Sequence, residues 1–264
     1  MTDPSFDDIS RIGLPVHGRV SCTACHGGAI DFDRTRTGEG DWRITANPLA
    51  WGSRRPEVLV LGFSKGPTQA LELGRTPHDA VAFKGGRANL LKILVHLGLA
   101  NPGTDIDRLI ADKNGRFAFG SLIRCSVERR EGEGWTGTGG GMLDRFVATP
   151  FGRRVATNCA TRFLKDLPPE TRLVVMLGLG TRLGYVGAVE RVVRSVRASS
   201  PWRRLNEVSY GDAAVTFVHT EHFKSQGRLL PDWLGHPRND GSPADPARQR
   251  LGRLAAEAAR AALA

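Results

Sequence analysis

Glu57-Val58-Leu59-Val60-Leu61-Gly62-Phe63 is an aliphatic run interrupted by a glycine. A run of this kind predicts a strand buried on both faces, as in a sheet covered by helices. Phe117-Ala118-Phe119-Gly120-Ser121-Leu122-Ile123-Arg124-Cys125 and Leu173-Val174-Val175-Met176-Leu177-Gly178-Leu179-Gly180 repeat the pattern, and Ala214 to His219 reads as a fourth strand. Helical patterns alternate with these runs. Leu90 to Gly98 closes on a glycine, Asn158 to Leu167 stops at Pro168-Pro169, Leu183 to Val196 follows the third run, and Pro246 to Ala264 is an Ala/Arg/Leu helix. The alternation predicts an α/β fold: a three-layer α/β/α sandwich around a central, mostly parallel, four-stranded sheet. Two further stretches, Glu131 to Gly141 with Trp135 and Gly235 to Ala247, read as surface loops.

The chain has 264 residues, 40% of them apolar and 24% charged, the balance of a globular rather than a disordered protein. No run approaches the roughly 18 apolar residues of a membrane span. The segment Met1 to Asp8 is acidic and lacks the apolar core of a secretory signal, so a cytoplasmic location is expected. Lys and Arg number 37 against 27 Asp and Glu, a formal net charge of +10. That excess favours an anionic partner, nucleic acid ahead of a membrane surface. A solubility surplus is the plain alternative.

Four cysteines occupy telling positions. Cys22 and Cys25 form a C-x-x-C pair before the first strand, whereas Cys125 and Cys159 stand alone downstream. Thioredoxin-like pairs follow a strand and open a helix, which this pair does not. Two thiolates on one turn and two brought in by the fold would suit zinc or an iron–sulfur cluster. Cys125 and Cys159 as small buried hydrophobes remain the alternative.

Ligands of parallel sheets sit beyond the carboxyl ends of the strands. Those ends are Gly62 to Gly66, Arg124 to Val127, Gly178 to Thr181 and His219 to Gln226. The first offers close backbone approach and Lys65, but not the spacing of a P-loop. Gly178-Leu179-Gly180-Thr181-Arg182-Leu183-Gly184 is one residue too long for a dinucleotide fingerprint and reads as a tight strand-to-helix turn. The last end is a dense polar cluster from His219 to Arg228.

Taken in order, Cys-x-x-Cys, a strand ending in Gly-x-x-x-Gly, Phe-x-Gly at Phe83 to Gly85, strand-Arg-Cys, a helical Cys and strand-His resemble the iron–sulfur uracil-DNA glycosylases, families four and five. The resemblance runs from about Cys22 to Trp233. It implies a single uracil-DNA-glycosylase-like domain over residues 1–264, with the Cys22/Cys25 segment and helix 246–263 packed on it. It also implies a 4Fe–4S cluster on Cys22, Cys25, Cys125 and Cys159, with zinc as the alternative. The base pocket would comprise Gly62, Phe63, Lys65, Phe83 and Ser121, with Phe83 stacking on the extruded base. His219 would bond the uracil O2 as the glycosidic bond breaks. Phe223 would wedge into the minor groove, with Lys224, Ser225 and Arg228 on phosphates.

The chain departs from the family at three positions. Phe63 stands where family four has a catalytic Glu, Gly86 where family five has an Asp, and Ser121 where an Asn reads the uracil edge. Either the base is larger or differently decorated, a bulky modified pyrimidine, or the water is handled from elsewhere, by Asp79 or Glu221 as base or by Gln69 as positioner. Lys65 as a nucleophile at the sugar would give lyase chemistry instead. The expected activity is hydrolysis of the N-glycosidic bond of a flipped uracil or modified pyrimidine in single- or double-stranded DNA, for base-excision repair or removal of foreign bases. The protein would act as a monomer with no membrane contact. A catalytically weakened DNA-binding member of the same fold and a redox protein unrelated to DNA are the competing expectations.

Overall fold

The aliphatic runs do become strands, but they are the middle of something larger. A computed structural model describes residues 13–137, 143–198, 201–225, 227–238 and 240–264. The segment Met1 to Asp8 and residues 138–141 of the Gly-rich stretch lie outside the described residues. The strands are β1 (Gly18–Arg19), β2 (Arg36–Glu39), β3 (Trp42–Thr45), β4 (Leu49–Gly52), β5 (Val58–Gly62), β6 (Phe117–Ser121), β7 (Ser126–Glu131), β8 (Gly134–Gly137), β9 (Leu173–Leu177), β10 (Arg203–Asn206), β11 (Ser209–Gly211) and β12 (Thr216–Thr220). The helices are α1 (Pro67–Glu72), α2 (His78–Val81), α3 (Arg87–His96), α4 (Ile106–Ala111), α5 (Leu143–Ala148), α6 (Pro150–Phe163), α7 (Gly184–Val196), α8 (Leu229–Leu234) and α9 (Pro246–Leu263).

The large sheet runs β1-β4-β6-β5-β9-β12-β11-β10. Its pairings β6–β5, β5–β9 and β9–β12 are parallel, and β1–β4, β4–β6, β12–β11 and β11–β10 are antiparallel. A second sheet, β2-β3-β7-β8, is antiparallel throughout. The expected three-layer sandwich around one four-stranded, mostly parallel sheet is therefore corrected to a mixed eight-stranded sheet with a separate four-stranded antiparallel sheet. The reason is local. Uniformly apolar runs mark only strands buried on both faces, as every residue of β5, β6 and β9 is. The flanking strands span two to four residues each, too few to carry a periodicity.

Two further corrections concern single segments. The run Phe117 to Cys125 is not one strand: β6 ends at Ser121, the chain bends through Leu122 to Cys125, and β7 continues in the second sheet. The stretch from Glu131 is not simply a loop, because β7 and β8 form a hairpin across Gly132-Glu133. A matching hairpin joins β2 and β3 across Gly40-Asp41. Each two-residue turn begins with a glycine at positive φ, 60° at Gly40 and 59° at Gly132, as tight hairpins require.

The buried apolar side chains form one cluster, in which Trp42, Ile44 and Val127 of the small sheet join the strands of the large one. Helices α5, α6 and α7 pack on one another, while α9 lies along β9, β11 and β12 with α8 against it. No helix among the described residues is long and apolar enough to cross a membrane. Around β5 the parallel order changes direction, with β6 on one side and β9 on the other, so a crevice at the strand ends is expected above β5 and β9.

Candidate functional site

The four cysteines meet where the two sheets join. Cys125 sits in the bend between β6 and β7, Cys22 and Cys25 lie between β1 and β2, and Cys159 comes from α6. Helix α6 grips the C-x-x-C segment: Asn158 Nδ2 donates to the Ala24 carbonyl at 3.3 Å and to Cys25 Sγ at 3.4 Å, and Arg162 donates to the Ser21 carbonyl at 2.9 Å. Cys125 and Cys159 are buried, and each thiol lies within electrostatic reach of the others. Burial pushes the Cys125 thiol up to about 11 and the Cys159 thiol well above its usual range. His26 adds Nε2 at 3.7 Å from Cys125 Sγ, its other nitrogen 2.8 Å from Thr37 Oγ1.

Two cations are sealed in with these thiols. Lys65 and Arg124 are each 2% exposed. Lys65 Nζ donates to the Arg124 carbonyl, and Arg124 donates to the Leu49 carbonyl at 3.3 Å with its guanidinium 5.0 Å from the Phe163 ring centre. Arg124 Nε is buried without a hydrogen-bond partner. Gly120 leaves the space the guanidinium fills, since a Cβ there would overlap it. Burial draws Lys65 down to about 8 and Arg124 down to about 10. Among the described residues neither cation makes an ion pair. A buried charge without an ion pair costs several kcal/mol, so two of them beside the buried thiols of Cys125 and Cys159 make an unbalanced interior.

A thiolate-bound metal centre carries the negative charge that would balance it, so the donor set and the orphaned guanidinium nitrogen both fit such a group. Spacing distinguishes the kinds. One tetrahedral zinc with sulfur at 2.3 Å would hold its sulfurs about 3.8 Å apart. Among the described residues, no three of the cysteine sulfurs lie within 4.8 Å of one another. Lys65 lies buried within electrostatic reach of Cys125 and Cys159, its ammonium group bonded to the Arg124 carbonyl.

His219 occupies a different kind of interior. It is fully buried on β12, donating from Nδ1 to the Gly178 carbonyl at 3.2 Å and accepting at Nε2 from the Tyr210 hydroxyl at 2.8 Å. Tyr185 stands edge-on at 5.4 Å. Burial draws its imidazole down to about 3, so it is neutral, and both nitrogens are engaged. In this conformation His219 has no N–H to offer a base. The neighbouring Glu221 is 5% exposed and likewise engaged, accepting from the His222 amide, from Ser225 Oγ at 2.6 Å and from Arg248.

Phe83 is 4% exposed and packs edge-on against Phe119 at 5.9 Å and Phe223 at 5.3 Å. Its φ of 52° is strained for an aromatic residue, a cost that recurs at binding loops. Phe223, expected as an exposed wedge, is buried at 5%, seated on Gly86 where a Cβ would collide with its ring. Asn89 Nδ2 holds the Phe223 carbonyl at 3.0 Å. Of the residues expected on phosphates, Ser225 bonds Glu221, Arg228 pairs with Asp232 at 3.0 Å, and Lys224 is exposed. Gly62 and Ser121 are buried at the ends of β5 and β6, Phe63 is half-buried 6.1 Å from Phe146, and Gln69 donates to the Val81 carbonyl at 3.4 Å.

Asp79 is held elsewhere. His17 Nε2 at 2.7 Å and His78 Nδ1 at 2.9 Å both donate to its Oδ1. Burial works to raise its carboxyl, but the two imidazoles hold it below the usual range. These three residues have the composition of a metal site. However, His17 Nδ1 accepts the Gly52 amide at 3.1 Å, which leaves the imidazole proton on Nε2, pointing at Asp79. A ligating histidine donates from its second nitrogen, so His17 clamps the carboxylate rather than a metal. Through His17, Asp79 is tied to β4, which lies four strand spacings across the sheet from β12 and His219.

Sequence reasoning passed over His26, Asn158 and the aromatic-cationic face of the small sheet. The last had a signal, the two-residue Gly-Asp turn between short alternating segments at Arg36 and Trp42. No protein-family model matches the chain, and no curated protein matches it.

Proposed function

We propose that the protein is an iron–sulfur DNA glycosylase acting on uracil or a modified pyrimidine in the cytoplasm, where reducing conditions keep cysteine ligands as thiols. The observation that carries this reading is the gathering of four cysteines around the buried Lys65 and Arg124, beyond the carboxyl ends of β5 and β6. When bound, the cluster supplies negative charge and cross-links two sheets and α6. Lys65 and Arg124 balance that charge, and Arg124 ties the centre to β4 through Leu49. A flipped base stacks on Phe83 after Phe223 leaves its seat on Gly86, and Ser121 presents a hydroxyl where a larger side chain would crowd a substituted ring. Cleavage proceeds through an oxocarbenium-like sugar supported by the DNA's own phosphates. His219 acts through position, bracing Gly178 against Tyr210.

A second reading, a DNA-binding member that has lost chemistry, is favoured by one observation: both nitrogens of His219 are engaged within the protein. A screen of single- and double-stranded oligonucleotides carrying uracil or substituted pyrimidines separates the two. The purified protein is expected to be brown and to release free base, with Ser121→Asn shifting preference toward uracil. Affinity for DNA with no release from any substrate would leave only the second reading. A colourless, metal-free protein without DNA affinity would overturn both.

A further inference from the structure

The small sheet presents a face that the strand-end reading does not use. Cross-strand pairs in β2-β3-β7-β8 share a face, so Arg43 lies opposite Glu128 and Arg130 opposite Trp135 on one side. Trp42, Ile44 and Val127 point the other way, into the core. The outer side is thus an open antiparallel surface with a half-buried indole on its edge strand β8. Arg43 lies 4.3 Å and Arg130 5.3 Å from the Trp135 ring. A cavity of about 290 Å³ at this end of the sheet is lined by Arg36, Arg43, Arg130 and Trp135 of the outer side and by Glu39 and Trp42, which the register places on the other.

The charge on this face is one-sided. Arg43 holds Glu128 with two bonds of 2.9 Å, Thr45 Oγ1 adds a third at 2.7 Å, and Glu39 at the rim pairs with Arg154 at 3.0 Å. Both acids are already neutralised. Arg36 and Arg130 are exposed and, among the described residues, form no ion pair. An indole flanked by Arg43 and Arg130, with Arg36 exposed nearby, matches a chain that alternates planar rings with negative charges. A duplex turns its ring faces inward and cannot use the indole, and an acidic peptide would use the arginines but not the ring.

We propose that the outer face of the small sheet binds single-stranded nucleic acid, a base stacking against Trp135 and phosphates meeting Arg36 and Arg130. This contact is separate from the strand-end crevice and does not rest on the glycosylase reading. The test is fluorescence anisotropy of the full-length protein with labelled oligothymidine, across a salt series, alongside Trp emission. Binding should weaken with salt and quench the indole. Trp135→Ala should weaken it about tenfold, and Arg130→Ala should lower the salt slope by about 0.7. Trp135→Phe, which keeps a ring, should recover most of the affinity and guards against a folding defect in the alanine variant. Unchanged affinity in Trp135→Ala and Arg130→Ala would overturn the proposal. So would loss confined to Lys224→Ala and Arg228→Ala, or competition by polyglutamate equal to that by oligothymidine.

Discussion

The cysteine group and the His219 nest both lie at the carboxyl ends of parallel strands and both contain buried ionisable groups. They differ in charge. Around His219 both ring nitrogens have partners and the imidazole is neutral, although the buried Tyr185 hydroxyl beside it has none. Around Cys125 two buried cations make no ion pair among the described residues, a guanidinium nitrogen lacks a partner, and burial disfavours the thiolates of Cys25, Cys125 and Cys159. A neutral imidazole bonded at both nitrogens is accounted for by the fold. A buried charge without an ion pair marks a place where the chain waits for something it does not itself contain.

Removing one thiol should break the contrast most sharply. Cys159→Ser is expected to cost about 3–5 kcal/mol, because losing the centre leaves Lys65 and Arg124 uncompensated. Urea midpoints together with metal content check it, and unchanged stability with full metal loss would make the centre structurally idle. Next comes Lys65→Met, whose sign should depend on loading. It should stabilise metal-free protein and destabilise loaded protein, by about 1–4 kcal/mol in each case. Equal effects in both forms would separate Lys65 from the centre.

The nest makes a pH prediction. His219 falls from 6.5 to about 3 and His222 from 6.5 to about 4, in both cases through burial. Their folded values lie below the unfolded one, so the unfolded chain binds the extra protons as pH drops. Stability contributed by these neutral imidazoles is complete above pH 6.5 and falls between 6.5 and about 4, each histidine adding up to about 1.4 kcal/mol per pH unit. Denaturant titrations from pH 7 to 4 measure it, and His219→Gln should flatten the slope. The smallest effect is expected for Tyr210→Phe, about 1 kcal/mol, from the lost bond to Nε2. A loss several times larger would mean that His219 does more than brace the strand end.

Much of the frame was legible in the sequence. The aliphatic runs at Val58, Phe117, Leu173 and Thr216 announced strands because apolar burial on both faces leaves a local signature, and Gly98 and Pro168-Pro169 announced helix limits through backbone sterics. The C-x-x-C pair was legible as a motif, and the structure brings Cys125 and Cys159 within electrostatic reach of it. The edge strands β1, β4, β10 and β11 were not legible, being short, nor was the break at Leu122, because an apolar bend and an apolar strand read alike. Phe223 looked like a wedge by its place in a polar loop, yet Gly86 gives it a seat from which it need not project.

The sequence by itself determined which segments had to be buried, where the chain had to turn and which side chains were able to bind metal, since these follow from local hydrophobicity, backbone freedom and donor chemistry. Tertiary structure alone decided that Lys65 lies buried within reach of the cysteines, that His219 is braced on both nitrogens, that Asp79 answers to His17 and His78, and that Trp135 rises among arginines on a second sheet. Each of these is set by contacts between segments far apart in the chain, and the burial and charge they create are properties of the neighbours, which no residue's own type records.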